Sequence, residues 1–244
     1  MKTLRPFWRY YGAKWQVAPR YPEPVYDTVI EPFAGAAGYS LRHYRRNVVL
    51  VDVFPIIAEV WRYLIATSAQ EILAIPLVDH IDDLPASTPQ AAKWLVGFTM
   101  NAGAVRPNRK ISSGMLKFRE EGRVTEGWCE RMRDRAASQV DLIRHWKVIE
   151  GSYHASPDLE ATWFIDPPYS GRPGSHYVHG SALIDYAELG AWCRDRRGQV
   201  IVCEAKGATW LPFSSIGDST GVSGLRSGEA VWISDQRAQM EMAL

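Results

Sequence analysis

Residues 28–52 read as a short strand, TVIEPF (28–33), that breaks into a turn of small residues, AGAAG (34–38). A helical segment, SLRHYRR, and a second strand, NVVLVD (47–52), follow, and the second strand ends on an acid. Strand, glycine turn, helix, strand is a βαβ unit, which commits a chain to a parallel sheet with helices packed on its faces. Pro55 stands at the start of a further helix, and IIAEVWRYLIAT (56–67) keeps its apolar residues on one helical face. Strands that can extend the sheet return late: KVIEG (147–151), ATWFID (161–166), QVIVCE (199–204) and EAVWIS (229–234), with a helix at about 185–197 between the second and third. Residues 68–145 are instead mostly helical, as QEILAI, QAAKWLVGFTM and EGWCERMRDRAASQVDLIRHW. In the last segment Trp128, Met132, Ala136, Val140 and Ile143 recur at spacings of three and four. The expected architecture is α/β and Rossmann-like: a parallel-type sheet from 1–60 and 146–244, with a helical insertion over 61–145.

Composition excludes several alternatives. With 46% apolar and 23% charged residues over 244 positions, the chain has the make-up of a folded protein with one large core. Twenty-eight Lys and Arg against 27 Asp and Glu, net +1, exclude a histone-like polycation and an acidic tail protein. The balance is uneven, however: residues 103–148 carry +5 and the rest −4. Three scattered cysteines without CxxC suggest neither a disulfide framework nor a thiolate zinc site, and six histidines without HxxxH predict no metal. The N-terminus lacks the apolar core and cleavage site of a signal peptide, and no stretch reaches the ~18–20 apolar residues of a membrane span. A cytoplasmic protein is expected.

The densest chemistry is Asp166-Pro167-Pro168-Tyr169, directly after the strand ATWFI. An acid at the carboxyl end of a strand stands where open α/β sheets bind ligands. Two prolines stiffen the backbone and leave carbonyls without helix or strand partners. A carboxylate and a carbonyl that accept the two N–H hydrogens of an exocyclic amine favour a tetrahedral nitrogen with a free lone pair. The Tyr169 ring can stack on the base, which in a duplex must first be flipped out. A second constellation is Glu31-Pro32-Phe33-Ala34-Gly35-Ala36-Ala37-Gly38, followed by Asp52, whose carboxylate can accept both hydroxyls of a ribose. It lacks G-x-G-x-x-G, which argues against a nicotinamide oxidoreductase.

Taken in order, these motifs resemble the Dam-type DNA adenine-N6 methyltransferases, in the divergent form common in phages and prophages. The family's aromatic-x-Gly-Gly-Lys element stands here as Tyr10-Tyr11-Gly12-Ala13-Lys14, EPFAGAAG stands for EPFxGxG, Asp52 for the ribose-binding acid, and DPPY for the catalytic loop. The resemblance implies a Rossmann-like methyltransferase sheet, S-adenosylmethionine as methyl donor, and double-stranded DNA as substrate of a monomer or weak dimer. It implies donor contacts from Tyr10, Lys14, Glu31, Phe33, Gly35, Gly38, Asp52 and Asp166, and a helical target-recognition insert between Asp52 and DPPY. Protection of phage DNA, a restriction–modification pair and an orphan mark are the roles it suggests. The pattern is not matched throughout: Ala13 replaces a glycine, and Gly151-Ser152-Tyr153 stands where the family often has Asp and an aromatic near the donor's adenine, so Ser152 and Tyr153 are the candidates there.

The segment 101–123 reads as a Gly/Pro/Ser-broken loop rich in bases: Arg106, Arg109, Lys110, Lys117, Arg119 and Arg123, against Glu120 and Glu121. Beside a base-modifying site, phosphate contact is the expected role, with Asn101, Asn108 and Arg109 able to read base edges. His176, in the loop after DPPY, is expected to close over the substrate or contact phosphate, together with Tyr177 and His179. Two alternatives keep or lose the chemistry: methylation of an amine in RNA or protein, whose enzymes more often carry Asn at the position of Asp166, or a non-catalytic DNA-binding relative.

Overall fold

The computed structural model describes residues 3–101, 103–121, 127–220 and 226–235; Arg123 of the basic segment lies outside them. Seven strands form one sheet in the order β3-β2-β1-β4-β5-β7-β6. They are β1 (Thr28–Glu31), β2 (Asn47–Asp52), β3 (Lys147–Glu150), β4 (Ala161–Ile165), β5 (Gly198–Ala205), β6 (Ser214–Thr220) and β7 (Arg226–Asp235). The first five run parallel, and β7 lies antiparallel between β5 and β6. The architecture is mixed α/β with a mostly parallel sheet, which is compatible with a Rossmann-like fold. The late strand expected at 229–234 is therefore longer and antiparallel. Its partner β6 was not expected, because SSIGDST offers neither β-branched density nor strict alternation.

The sheet is covered on both faces, as a parallel sheet requires. Alternate residues divide between two cores. Val29, Leu50, Phe164 and Ile201 face one side, with Trp61, Leu95, Phe98 and Val140. Ile30, Val51, Trp163 and Val202 face the other, with Leu189 and Cys193. Helix α1 (Pro55–Ala66) opens with Pro at its first position. α2 (Ala69–Leu73) is held by a capping box in which Ser68 and Glu71 satisfy each other's backbone N–H. α3 (Gln90–Thr99), α4 (Ser113–Glu120) and α5 (Glu130–Val140) complete the β2-to-β3 crossover, and α6 (Tyr186–Arg194), capped by Asp185, joins β4 to β5.

Four expectations need correction. SLRHYRR forms successive turns, not a helix: the N–H groups of Arg42, His43 and Arg46 bond three residues back, to the carbonyls of Tyr39, Ser40 and His43. The basic segment contains α4, started by Ser112 accepting the Met115 N–H. α5 begins at Glu130, so buried Trp128 precedes it. The boundary at 60/61 cuts α1, which runs unbroken and packs on β2, β3 and α3 alike. Among the described residues, no helix is long and apolar enough to cross a membrane.

Candidate active site

Strand register assembles the site. Glu31 lies opposite Leu50, so Asp52 ends β2 two residues further along the same edge. Ile30 lies opposite Trp163 and Ile165 opposite Val202, which brings Asp166 and Glu204 to that edge too. β1 and β4 are neighbours, and the chain progresses outward from them in opposite directions, β1 to β2 and β4 to β5. The crevice between them is the switch point where open α/β sheets take ligands. A cleft opens there, and Tyr10, Lys14, Glu31, Phe33, Gly35, Gly38, Asp52, Ser152, Tyr153, Asp166 and Pro168 all line it. Every expected donor-contact residue is thus brought to one cleft.

Each carboxylate in the cleft is oriented by its neighbours. Asp52 accepts the Gly35 N–H at one oxygen and the Phe54 N–H at the other, both at 2.9 Å. The Gly35 carbonyl accepts the Trp61 indole N–H at 2.8 Å, so the 31–38 turn is clamped from both sides. Burial pushes the Asp52 carboxyl up to about 6 against those two bonds, and burial pushes Glu31 up to about 8 despite its bonds to Ser40. The pattern's second glycine falls on Ala37, whose φ is +48°. Gly38 serves a different need: a Cβ there would stand 2.5 Å from the Trp15 nitrogen, so its absence lets the N-terminal segment close against the turn.

That segment delivers Lys14. Its ammonium lies 2.8 Å from Asp166 Oδ1, donates to the Gly12 carbonyl at 3.0 Å and sits 4.6 Å over the Tyr169 ring. Burial alone lowers an ammonium's pKa, but Asp166 and then Glu229 outweigh it and hold Lys14 charged. Burial pushes Asp166 up to about 6; Lys14 opposes that shift, while Glu229 and Glu204 add to it.

The loop after β4 is pinned by residues remote in sequence. The Tyr169 hydroxyl donates to Glu229, which also accepts the Tyr21 hydroxyl at 2.7 Å. Glu204, fully buried, accepts the Ser170 N–H at 3.0 Å and the Trp210 indole N–H at 2.9 Å. Tyr186 donates to the Pro168 carbonyl at 2.5 Å, so that carbonyl already has a partner. Glu204 and Trp210 are therefore supports of the loop rather than cleft walls. Sequence reading missed Glu229, Tyr21 and Tyr186; the one available signal was an acid opening the apolar run of EAVWI.

Tyr177 and His179 also line the cleft. The Tyr177 hydroxyl donates to the Tyr11 carbonyl at 3.1 Å, and the His179 ring lies 5.7 Å from Phe54. The 171–183 loop thus spans the cleft from the N-terminal segment to the start of α1. His176, exposed, meets Tyr11 at 5.7 Å at one end of that span.

The expected DNA contacts are dispersed. Arg119 makes two bonds to Asp79, at 2.8 and 2.6 Å, and Arg109 pairs with Asp82. Asn108 packs on Gly97 of α3 and donates to the Arg106 carbonyl at 3.2 Å. Arg106, Lys110 and Lys117 are exposed, and Asn101 is half-buried. No family profile matches the chain, and no curated protein matches it.

Proposed function

We propose that this protein is a DNA adenine-N6 methyltransferase that uses S-adenosylmethionine. The observation that carries the reading is the convergence of four sequence-distant motifs on the β1/β4 crevice, centred on the Lys14–Asp166 pair. The residues present suit the donor chemically. Asp52, with both oxygens aligned by backbone N–H groups, would hold the ribose diol. Phe33, stacked on Tyr153 at 5.7 Å, would wall the adenine, with Ser152 beside them. Lys14 would meet the donor's carboxylate, and Asp166 its positive centres, with Glu31 a neutral hydrogen-bonding wall. When bound, the donor supplies a methyl group on a cationic sulfur.

The chain's own residues handle the acceptor. Asp166 accepts one N–H of the adenine amine, and a prolyl carbonyl accepts the other. Withdrawing both hydrogens from the ring plane frees the nitrogen lone pair for in-line attack. Tyr169, held at its hydroxyl by Glu229 and on one face by Lys14, is the ring that would stack on the base. The antiparallel β7 departs from the all-parallel order of dinucleotide-binding sheets, which weighs against a nicotinamide enzyme.

The test offers radiolabelled donor with duplex DNA, RNA and protein in parallel. Label in DNA adenine, lost in Asp166→Ala, is expected. Label in RNA or protein alone, or full activity of the variant, overturns the reading.

A further inference from the structure

The loop after β4 is gripped at three consecutive residues, but at only one of them by the side chain. The Pro168 carbonyl accepts the Tyr186 hydroxyl and the Ser170 N–H donates to Glu204, so the backbone on both sides of Tyr169 is held without Glu229. The Tyr169 ring has its own anchor in Glu229 of β7. One oxygen of that carboxylate accepts the Tyr169 hydroxyl and, at 2.7 Å, the Tyr21 hydroxyl. Glu229 lies opposite Ala205, next to Glu204, so by strand alternation the two acids approach the loop from opposite faces of the sheet. Glu229 is only 3% exposed. A carboxylate is costly to bury unless its oxygens are hydrogen-bonded, and an apolar side chain would fill the same space in the core without that cost. Packing alone therefore does not call for an acid here. What the acid adds is a charged acceptor, which makes the stronger bond to a hydroxyl.

We propose that Glu229 is a positioning residue for methyl transfer, holding the Tyr169 ring at the angle where it stacks on the acceptor base. A tyrosine ring turns about its side-chain torsions, and the backbone bonds at 168 and 170 restrain none of them. Glu229 restrains them from the far end of the ring. Tyr21, packed edge-on against Phe164 of β4 at 5.2 Å, braces the carboxylate in turn. The effect reaches the base through Tyr169 and not through the donor: Lys14 keeps its ion pair with Asp166, at 2.8 Å, whatever stands at 229. The inference rests on the DNA methyltransferase reading.

The test uses the full chain and reads kcat and KM on duplex DNA, with donor affinity by calorimetry. Glu229→Leu should lower kcat by about 10–10²-fold and leave donor affinity at the parental value. Glu229→Gln, whose amide carbonyl can still accept both hydroxyls, should restore most of the turnover; a role in packing alone would favour Leu over Gln. Tyr169→Phe and Glu229→Leu/Tyr169→Phe should turn over alike, because hydroxyl and carboxylate act as one unit. Tyr169→Phe leaves Glu229 its bond to Tyr21, so parental turnover in that variant overturns the proposal even where Glu229→Leu does not fold. Parental kcat in Glu229→Leu, losses that multiply in the double variant, or a parallel fall in donor affinity, while the parent chain methylates DNA, overturn the Glu229 role alone. Absence of DNA labelling by the parent chain overturns the methyltransferase reading, and the Glu229 role with it.

Discussion

Asp166 keeps its charge against its surroundings, and two measurements follow from that. Burial pushes its carboxyl up to about 6, with Lys14 holding it below where burial alone would take it. kcat/KM for methyl transfer is therefore expected to fall as pH drops through about 6, because a protonated Asp166 no longer offers two acceptor oxygens. Asp166→Asn should lower the turnover rate by about 10²–10³-fold above pH 6, the usual effect of removing one preorganised electrostatic partner, and the deficit should shrink below pH 6, where the parent's Asp166 is itself protonated. Glu31 provides a stability signature. Its folded pKa, about 8, lies above its ordinary value of 4.5, so the folded state holds a proton that the unfolded chain has released. The stabilisation is complete below about pH 4.5 and is lost as pH rises to about 8. Glu31→Gln should flatten that part of the melting temperature's pH profile, and an unchanged slope would show that Glu31 is ionised. Glu31, Asp52 and Asp166 were legible because an acid closing an apolar strand is conspicuous in one dimension. Glu229 was not, since its meaning comes from Tyr169, sixty positions away.

Among elements, the 171–183 loop and the N-terminal segment depend on each other. Gly12 has φ +70°, and a Cβ there would stand 2.0 Å from the Tyr177 hydroxyl oxygen, with the next ring atom at 3.3 Å. Gly12→Ala should displace the loop from the cleft and weaken donor binding about tenfold, a loss of the ~1.4 kcal/mol that a left-handed alanine and a broken contact together cost. Gly12→Ala/Tyr177→Phe removes the clashing oxygen, so calorimetry should find donor affinity partly restored. No restoration would mean that backbone strain alone accounts for the loss. The helices with a periodic apolar face, α1, α3 and most of α5, were readable for the reason that periodicity is a local property. β6 was not: SSIGDST becomes a strand because β7 lies alongside it, and its residues carry little preference of their own.

At the scale of the whole molecule, the helices between β2 and β3 share a core with the sheet. Ile72, Leu95, Phe98, Met132 and Val140 are buried in the same cluster as Val29, Leu50 and Phe164. Each such side chain contributes about 1.5–3 kcal/mol by its burial. Replacing 68–145 with a short linker should therefore abolish cooperative thermal unfolding, as followed by circular dichroism; a sharp transition would show that the sheet folds without those helices. Charge teaches a related lesson. The +5 of residues 103–148 is real as a count, yet Arg119 and Arg109 are matched by Asp79 and Asp82, acids outside the counted window. The sequence by itself determined the alternation of strand and helix, the strand-end acids and the glycine turn, all of which depend on residues within a few positions of one another. Only the tertiary structure decided which of these acids share a cleft and which acids the arginines of the basic segment pair with. Those outcomes depend on strand register and helix packing, where residues far apart along the chain come within a few ångströms.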